Sequence, residues 1–146
     1  MVAAMTDSGA VVAVRSAVAA LNEGDVEGYL EGFSASCQRW VSGMDAPRTL
    51  DDMRSDIGEL YGAFEPLQLG EDLLFGSDRF VCARWRLVGV HTAPYFGVPA
   101  TGREISVRNC EVYEHDGEHV VAVWTYGDPL DLARQLGVVP GQGPSR

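Results

Sequence analysis

The sequence predicts an α+β protein: three N-terminal helices packed in a strongly curved antiparallel sheet, a cone-shaped α+β barrel. Three observations carry this expectation. Apolar residues recur at helical spacing up to about residue 65, and from Leu67 onward they recur at every second position. Helices gathered ahead of a run of strands argue for α+β rather than alternating layers. Asp116-Gly117, set between two alternating runs, is a strong signal for an antiparallel hairpin. The 146 residues are one domain's worth of chain, read as a single domain 1–146 with loose ends at 1–7 and 138–146. The tail Gly141–Arg146 reads as frayed.

Val11, Val14, Val18 and Leu21 line one face of a first helix, with Ser8 placed to cap it and Gly24 to end it. Asp25 opens a second helix whose apolar face is Val26, Tyr29, Leu30 and Phe33. Residues 36–44 read as short and irregular. Thr49 and Asp52 form a capping box for a third helix, with Leu50, Met53, Ile57, Leu60, Tyr61 and Phe64 along one side and Pro66 as its stop. Gln68–Phe75 reads as a strand and Gly76-Ser77-Asp78 as a turn. Phe80–Val90 is a long strand with Val81, Ala83, Trp85 and Leu87 on its buried face. Residues 91–103 are a loop rich in Gly and Pro. Glu104–Glu114 and His119–Gly127 are two further strands, and Asp128-Pro129 opens a short helix that ends at Leu136, with Gly137 as its C′ residue.

The formal charge is −10, which disfavours nucleic acid and anionic membranes as partners. All 11 basic residues are arginine, so no mechanism that needs a lysine is available. Cys37, Cys82 and Cys110 are odd in number and include no CxxC pair, which fits a reducing, cytoplasmic setting. No histidine pair has metal-ligand spacing, so no metal is expected. His91, His115 and His119 are expected at the surface. Arg15 interrupts the apolar stretch 10–21, which therefore reads as neither a signal peptide nor a membrane span.

The run 89–102, with its G-x-H-T and F-G-x-P-A-T-G elements, resembles the SnoaL-like polyketide cyclases. So do Asp116-Gly117 with Val120–Trp124, and the ending Asp128…Ala133-Arg134-Gln135-Leu136-Gly137. The similarity covers roughly residues 10–137. It implies the cone fold shared with nuclear transport factor 2 and ketosteroid isomerase. It also implies a cofactor-free enzyme, usually a homodimer, acting on an apolar polyketide-type small molecule. Aldol-type members use a His and an Asp on the last two strands; those positions fall here on Glu111 and Thr125. Neither residue type is retained.

Among the residues themselves, Glu111 stands mid-strand on a face otherwise suited to a core, where a carboxylate can serve as acid or base. Asn109 or Tyr126 is expected to polarise a carbonyl beside it. Trp40, Tyr61, Trp85, Trp124, Thr125 and Asp128 are expected at the substrate pocket, although Asp128 also fits as the cap of the last helix. Tyr95 and Phe96, at the centre of the loop, read as a lid. The expected activity is closure of a ring in an apolar linear substrate, in natural-product or antibiotic biosynthesis. Its chemistry is either a cycloaddition-type pericyclic step or acid/base-assisted, with no cofactor. An isomerase, an epoxide hydrolase and a non-catalytic binding or dimerisation module are the alternatives.

Overall fold

The computed structural model describes residues 6–139. In chain order it has α1 (Gly9–Asn22), α2 (Val26–Leu30), β1 (Phe33–Val41), α3 (Leu50–Ala63), β2 (Phe64–Gly76), β3 (Phe80–His91), β4 (Glu104–His115), β5 (Val120–Tyr126) and α4 (Pro129–Gln135). The five strands form one open sheet in the order β1-β5-β4-β3-β2. Neighbours are antiparallel except β1, which runs parallel to β5. Among the described residues no helix is long and apolar enough to cross a membrane.

The helix ends follow their local chemistry. Ser8 Oγ accepts from Val11 N, Asp25 accepts from Gly28 N, and Thr49 and Asp52 cap each other reciprocally. Alternation then decides what each strand buries. Val81, Ala83 and Trp85 of β3, Ile105, Glu111 and Tyr113 of β4, and Val123 and Thr125 of β5 all face the helices. In β2 the register shifts between Glu71 and Leu73, so the buried set passes from Leu67 to Leu74 and the strand bends. The main core joins Val11, Val14, Val18 and Leu21 of α1 to Met53 and Ile57 of α3 and to this concave face. A second cluster joins Ala63, Phe64, Leu67, Ile105 and Leu136, with Leu60, Tyr61 and Tyr95 packed against it. The Gln135 amide bonds both backbone groups of Ser106, at 2.8 and 2.9 Å, which holds α4 so that Leu136 reaches this cluster.

Several expectations are corrected. Residues 36–41 are not irregular but belong to β1, and Phe33 starts that strand rather than extending α2. The strand escaped notice because Ser34, Ala35 and Ser36 carry no apolar alternation and an arginine takes an inward position. It is an edge strand, and only pairing with β5 makes it one. The sheet is accordingly mixed rather than wholly antiparallel. Pro66 does not stop α3; the helix ends at Ala63, and Pro66 lies within β2, where an edge strand tolerates it. His91 and His115 are buried, not exposed. His91 Nδ1 bonds the Thr101 hydroxyl and N–H, and its ring stacks on Phe64 at 5.0 Å. His115 Nδ1 accepts from Gly117 N, bracing the hairpin. At the N-terminal side Asp7 pairs with Arg15 at 2.6 Å, and Gly141–Arg146 lies outside the described residues.

Candidate active site

Glu111 ends a chain of donors. Trp85 Nε1 donates to Tyr113 Oη at 3.0 Å, and Tyr113 Oη donates to Glu111 Oε1 at 2.8 Å. From the other side Arg39 Nε donates to Thr125 Oγ1 at 2.9 Å, and Thr125 Oγ1 donates to Glu111 Oε2 at 2.7 Å. Arg39 Nη2 also reaches Glu111 Oε2 directly, at 3.2 Å. Three donors thus converge on one buried carboxylate, all from concave-face positions of β1, β4 and β5.

Arg39 is the member that meets solvent. Its backbone is pinned on both sides: it pairs with Val123 in the sheet, and it exchanges two hydrogen bonds of 2.9 and 2.7 Å with Arg48. Burial works against its charge, but Glu111, Tyr29 and Tyr113 outweigh that and hold the guanidinium charged. Burial, reinforced by the Glu111 charge, pushes the Tyr113 phenol well above its ordinary range. Of the five guanidinium N–H groups, those on Nη1 have no partner among the described residues.

Arg39 is on the wall of a cavity of about 230 Å³. Arg39 and Val41 of β1, Met44, Ile57 and Leu60 of α3, and Tyr95 with Phe96 of the loop between β3 and β4 line it. Asp56 is at its edge, engaged by Arg48 at 2.7 Å. The loop 92–103 is held at its base by the His91–Thr101 bond and by Thr92 N donating to Ala63 O. At its tip Tyr95 and Val98 exchange two backbone bonds across Phe96 and Gly97, with φ of 45° and 77°. Tyr95 is packed edge-on against Phe64 at 5.3 Å, whereas Phe96 is 79% exposed. A second, shallower opening lined by Gly58, Gly62 and Pro94 shares Glu59, Tyr95 and Phe96 with the cavity.

The sequence-derived site residues separate into two groups. Glu111, Thr125 and Trp85 belong to the bonded chain behind Arg39, with Trp85 wholly inside the core. Asn109 and Tyr61 face the interior, and each has a buried oxygen, Asn109 Oδ1 and Tyr61 Oη, with no partner among the described residues. Tyr95 and Phe96 line the cavity. Trp40, Trp124 and Tyr126 do not belong to the pocket wall. They alternate with inward Arg39, Val123 and Thr125 and so emerge on the outer face, where Trp40 is 41% and Tyr126 55% exposed. Asp128 is not at the pocket either: it is exposed and accepts from Asp131 N at the start of α4. Arg39 was missed because a strand was missed; its parity with Cys37 and Val41 is the signal that could have found it.

The fold has close structural relatives at low identity. AclR of Streptomyces galilaeus, described as a hydroxylase candidate, superposes with a TM-score of 0.82 at 24% identity, covering 90% of this chain and 97% of that one. TsrD of Streptomyces laurentii gives 0.78 at 26% identity, covering 92% and 100%. IdmH of Streptomyces antibioticus, a polyketide cyclase candidate, gives 0.77 at 23%, covering 89% and 99%. No curated protein matches the sequence. The family model for SnoaL-like polyketide cyclases, however, spans residues 11–136. With nearly the whole folded chain inside that match, and the sheet and its cavity built as described, the protein belongs to the SnoaL-like polyketide cyclase family.

Proposed function

We propose that this chain closes a ring in an apolar, polyketide-type small molecule held in the cavity, without a cofactor. The carrying observation is Arg39: a fixed cation with free donors, set in a wall of Val41, Met44, Ile57, Leu60, Tyr95 and Phe96 that also includes the carboxylates of Asp56 and Glu59. Such a group is placed to take a carbonyl oxygen of the substrate and to stabilise negative charge that develops there. The aliphatic and aromatic wall folds the rest of the chain so that its reacting ends meet, which can lower the barrier by about 7–11 kcal/mol in the best cases. A cavity of about 230 Å³ holds the reacting part of such a molecule; the remainder lies across Phe96 into the adjoining opening at Gly58 and Gly62.

In this reading Glu111 is a positioning residue. Both its oxygens are occupied, and it sits behind Arg39 rather than on the cavity wall. The step is therefore a carbonyl-polarised ring closure, of cycloaddition type when the substrate supplies a diene and an activated alkene. Incubating the purified protein with linear substrates bearing a conjugated carbonyl, and following cyclic product by mass spectrometry and chromatography, tests it. Arg39→Met is expected to lower the rate by about 10²–10³-fold, the loss typical of removing one donor to a developing oxyanion. An unchanged rate in Arg39→Met would refute the polarising role and leave shape alone as the catalyst.

The active form is proposed to be a homodimer. Trp40, Trp124 and Tyr126 make an aromatic patch at the β1–β5 end of the outer face, where a second copy would bury it.

A further inference from the structure

Two of the three thiols meet on the outer face of the sheet, away from the cavity. In the ladder between β3 and β4, Cys82 is opposite Val112 and Cys110 is opposite Arg84, so the two cysteines are diagonal neighbours. Their sulfurs are 3.9 Å apart, and both side chains are half-buried. Cys37, by contrast, is alone in the core.

That spacing has a chemical meaning. Diagonal neighbours in a ladder have Cα atoms about 7–8 Å apart, beyond the usual span of a disulfide, whose sulfurs must close to about 2.05 Å. Two sulfurs bound in line to one two-coordinate ion at about 2.3 Å each are instead about 4.6 Å apart. The thiols need only part slightly from 3.9 Å to take a bridging ion, whereas a disulfide needs them to close by far more. Burial and the neighbouring Cys110 push the Cys82 thiol up, so an ion must displace its proton. Arg84 across from Cys110 and Arg108 two residues before it on the same face make a cationic spot, in a chain of charge −10, that offsets the negative charge of a thiolate–ion unit. Phe75 across from Cys82 and Tyr126 across from Cys110 give the site apolar walls. The nearest carboxylate on this face, Glu114, is bound to Arg79 at 3.0 Å. Two sulfurs with no imidazole and no free carboxylate suit a soft ion that is content with few ligands, and among biological cations that is Cu(I).

We propose that Cys82 and Cys110 form a two-thiolate binding site for Cu(I), independent of the cavity. On binding, each thiol gives its proton to solvent and two S–Cu bonds form. No electron is transferred. The resulting unit carries one negative charge beside Arg84 and Arg108. Because two protons leave, affinity rises about 100-fold per pH unit while both thiols are protonated.

The probe is Cu(I) held by the chromogenic chelator bathocuproine disulfonate, without oxygen and with a reductant, titrated with the full-length protein. Transfer of one ion per chain, steeper as pH rises and abolished in both Cys82→Ser and Cys110→Ser but kept in Cys37→Ser, is expected. Absence of transfer, or transfer that survives in the Cys82→Ser/Cys110→Ser double variant, overturns the site. The wild-type chain gives a reading that needs no variant to fold: Cu(I) should protect two thiols from N-ethylmaleimide, counted by intact mass. Equal labelling with and without Cu(I) overturns the site as well.

Discussion

In the proposed reaction Arg39 and Glu111 divide one task between them. Glu111 is held by Tyr113, Thr125 and Arg39, so its charge fixes the guanidinium rather than facing the cavity. Replacing it by Gln keeps the shape but leaves Arg39 partly buried with less compensation, at a cost of about 1–3 kcal/mol in stability. The rate should fall with it. The two roles for Glu111 are separable by a double-variant cycle. As a positioning residue, Glu111→Gln adds nothing to the loss in Arg39→Met, and KM rises along with the fall in kcat. A general base would instead lose kcat alone, multiply the Arg39 effect and remove the acid limb of the pH–rate profile. Asn109 and Tyr61 complete this scale: each keeps a buried oxygen with no partner among the described residues, and neither residue lines the cavity.

At the scale of the element, the loop 92–103 joins two different aromatic environments. Tyr95 packs on Phe64 in the core, whereas Phe96 projects beside the cavity with a left-handed backbone that aromatic residues rarely adopt. Thermal unfolding should therefore tell them apart. Tyr95→Ala removes core contacts and is expected to cost about 2–4 kcal/mol. Phe96→Gly relieves the backbone at φ 45° and is expected to hold or raise stability, by up to about 1 kcal/mol, while product formation or selectivity falls. A Phe96→Gly protein with full activity would end the lid role, and a large drop in its Tm would mean that Phe96 packs in the core. The turn tightness itself comes from Tyr95 and Val98, whose paired bonds make this tip a rigid hairpin end rather than a slack flap.

For the whole molecule, buried phenols set the alkaline limit of stability. Burial, then the charge of Glu111, raises both Tyr29 and Tyr113 above the usual tyrosine range. In the unfolded chain they titrate near ~10. Above that pH the unfolded state has lost protons that the folded state retains, so stability falls as pH rises, by about 1.4 kcal/mol per pH unit for each phenol. Below about pH 9 the contribution is complete and the curve is flat with respect to these groups. Denaturant titrations across this range should show the fall beginning near ~10 and becoming shallower in Tyr29→Phe. In the proposed dimer the outer face is the contact. Light scattering on the wild-type chain is expected to give the mass of two copies, and Trp124→Glu to give one copy with an intact far-ultraviolet spectrum. A wild-type monomer would remove the dimer from the reading.

The sequence by itself determined what is local. Ser8, Thr49 with Asp52, Asp128 with Pro129, and Gly137 at φ 77° are caps whose partners are within a few residues, and they appear where the pattern puts them. The buried alternation of Val81, Ala83 and Trp85 and the hairpin at Asp116-Gly117 were legible for the same reason. Parity put Glu111 on one face with Ile105 and Tyr113, but that this face turns inward was decided by the helices packed against it. What only the tertiary structure decided is which distant segments share a face. β1 has too little apolar pattern to announce itself and becomes a strand by lying parallel to β5, 87 residues away at Phe33 and Val120. That pairing alone puts Arg39 beside Thr125 and Glu111 and turns Trp40, Trp124 and Tyr126 outward. Because side chains alternate, one unseen strand moved the aromatic wall to the far side of the sheet and put a cation in its place.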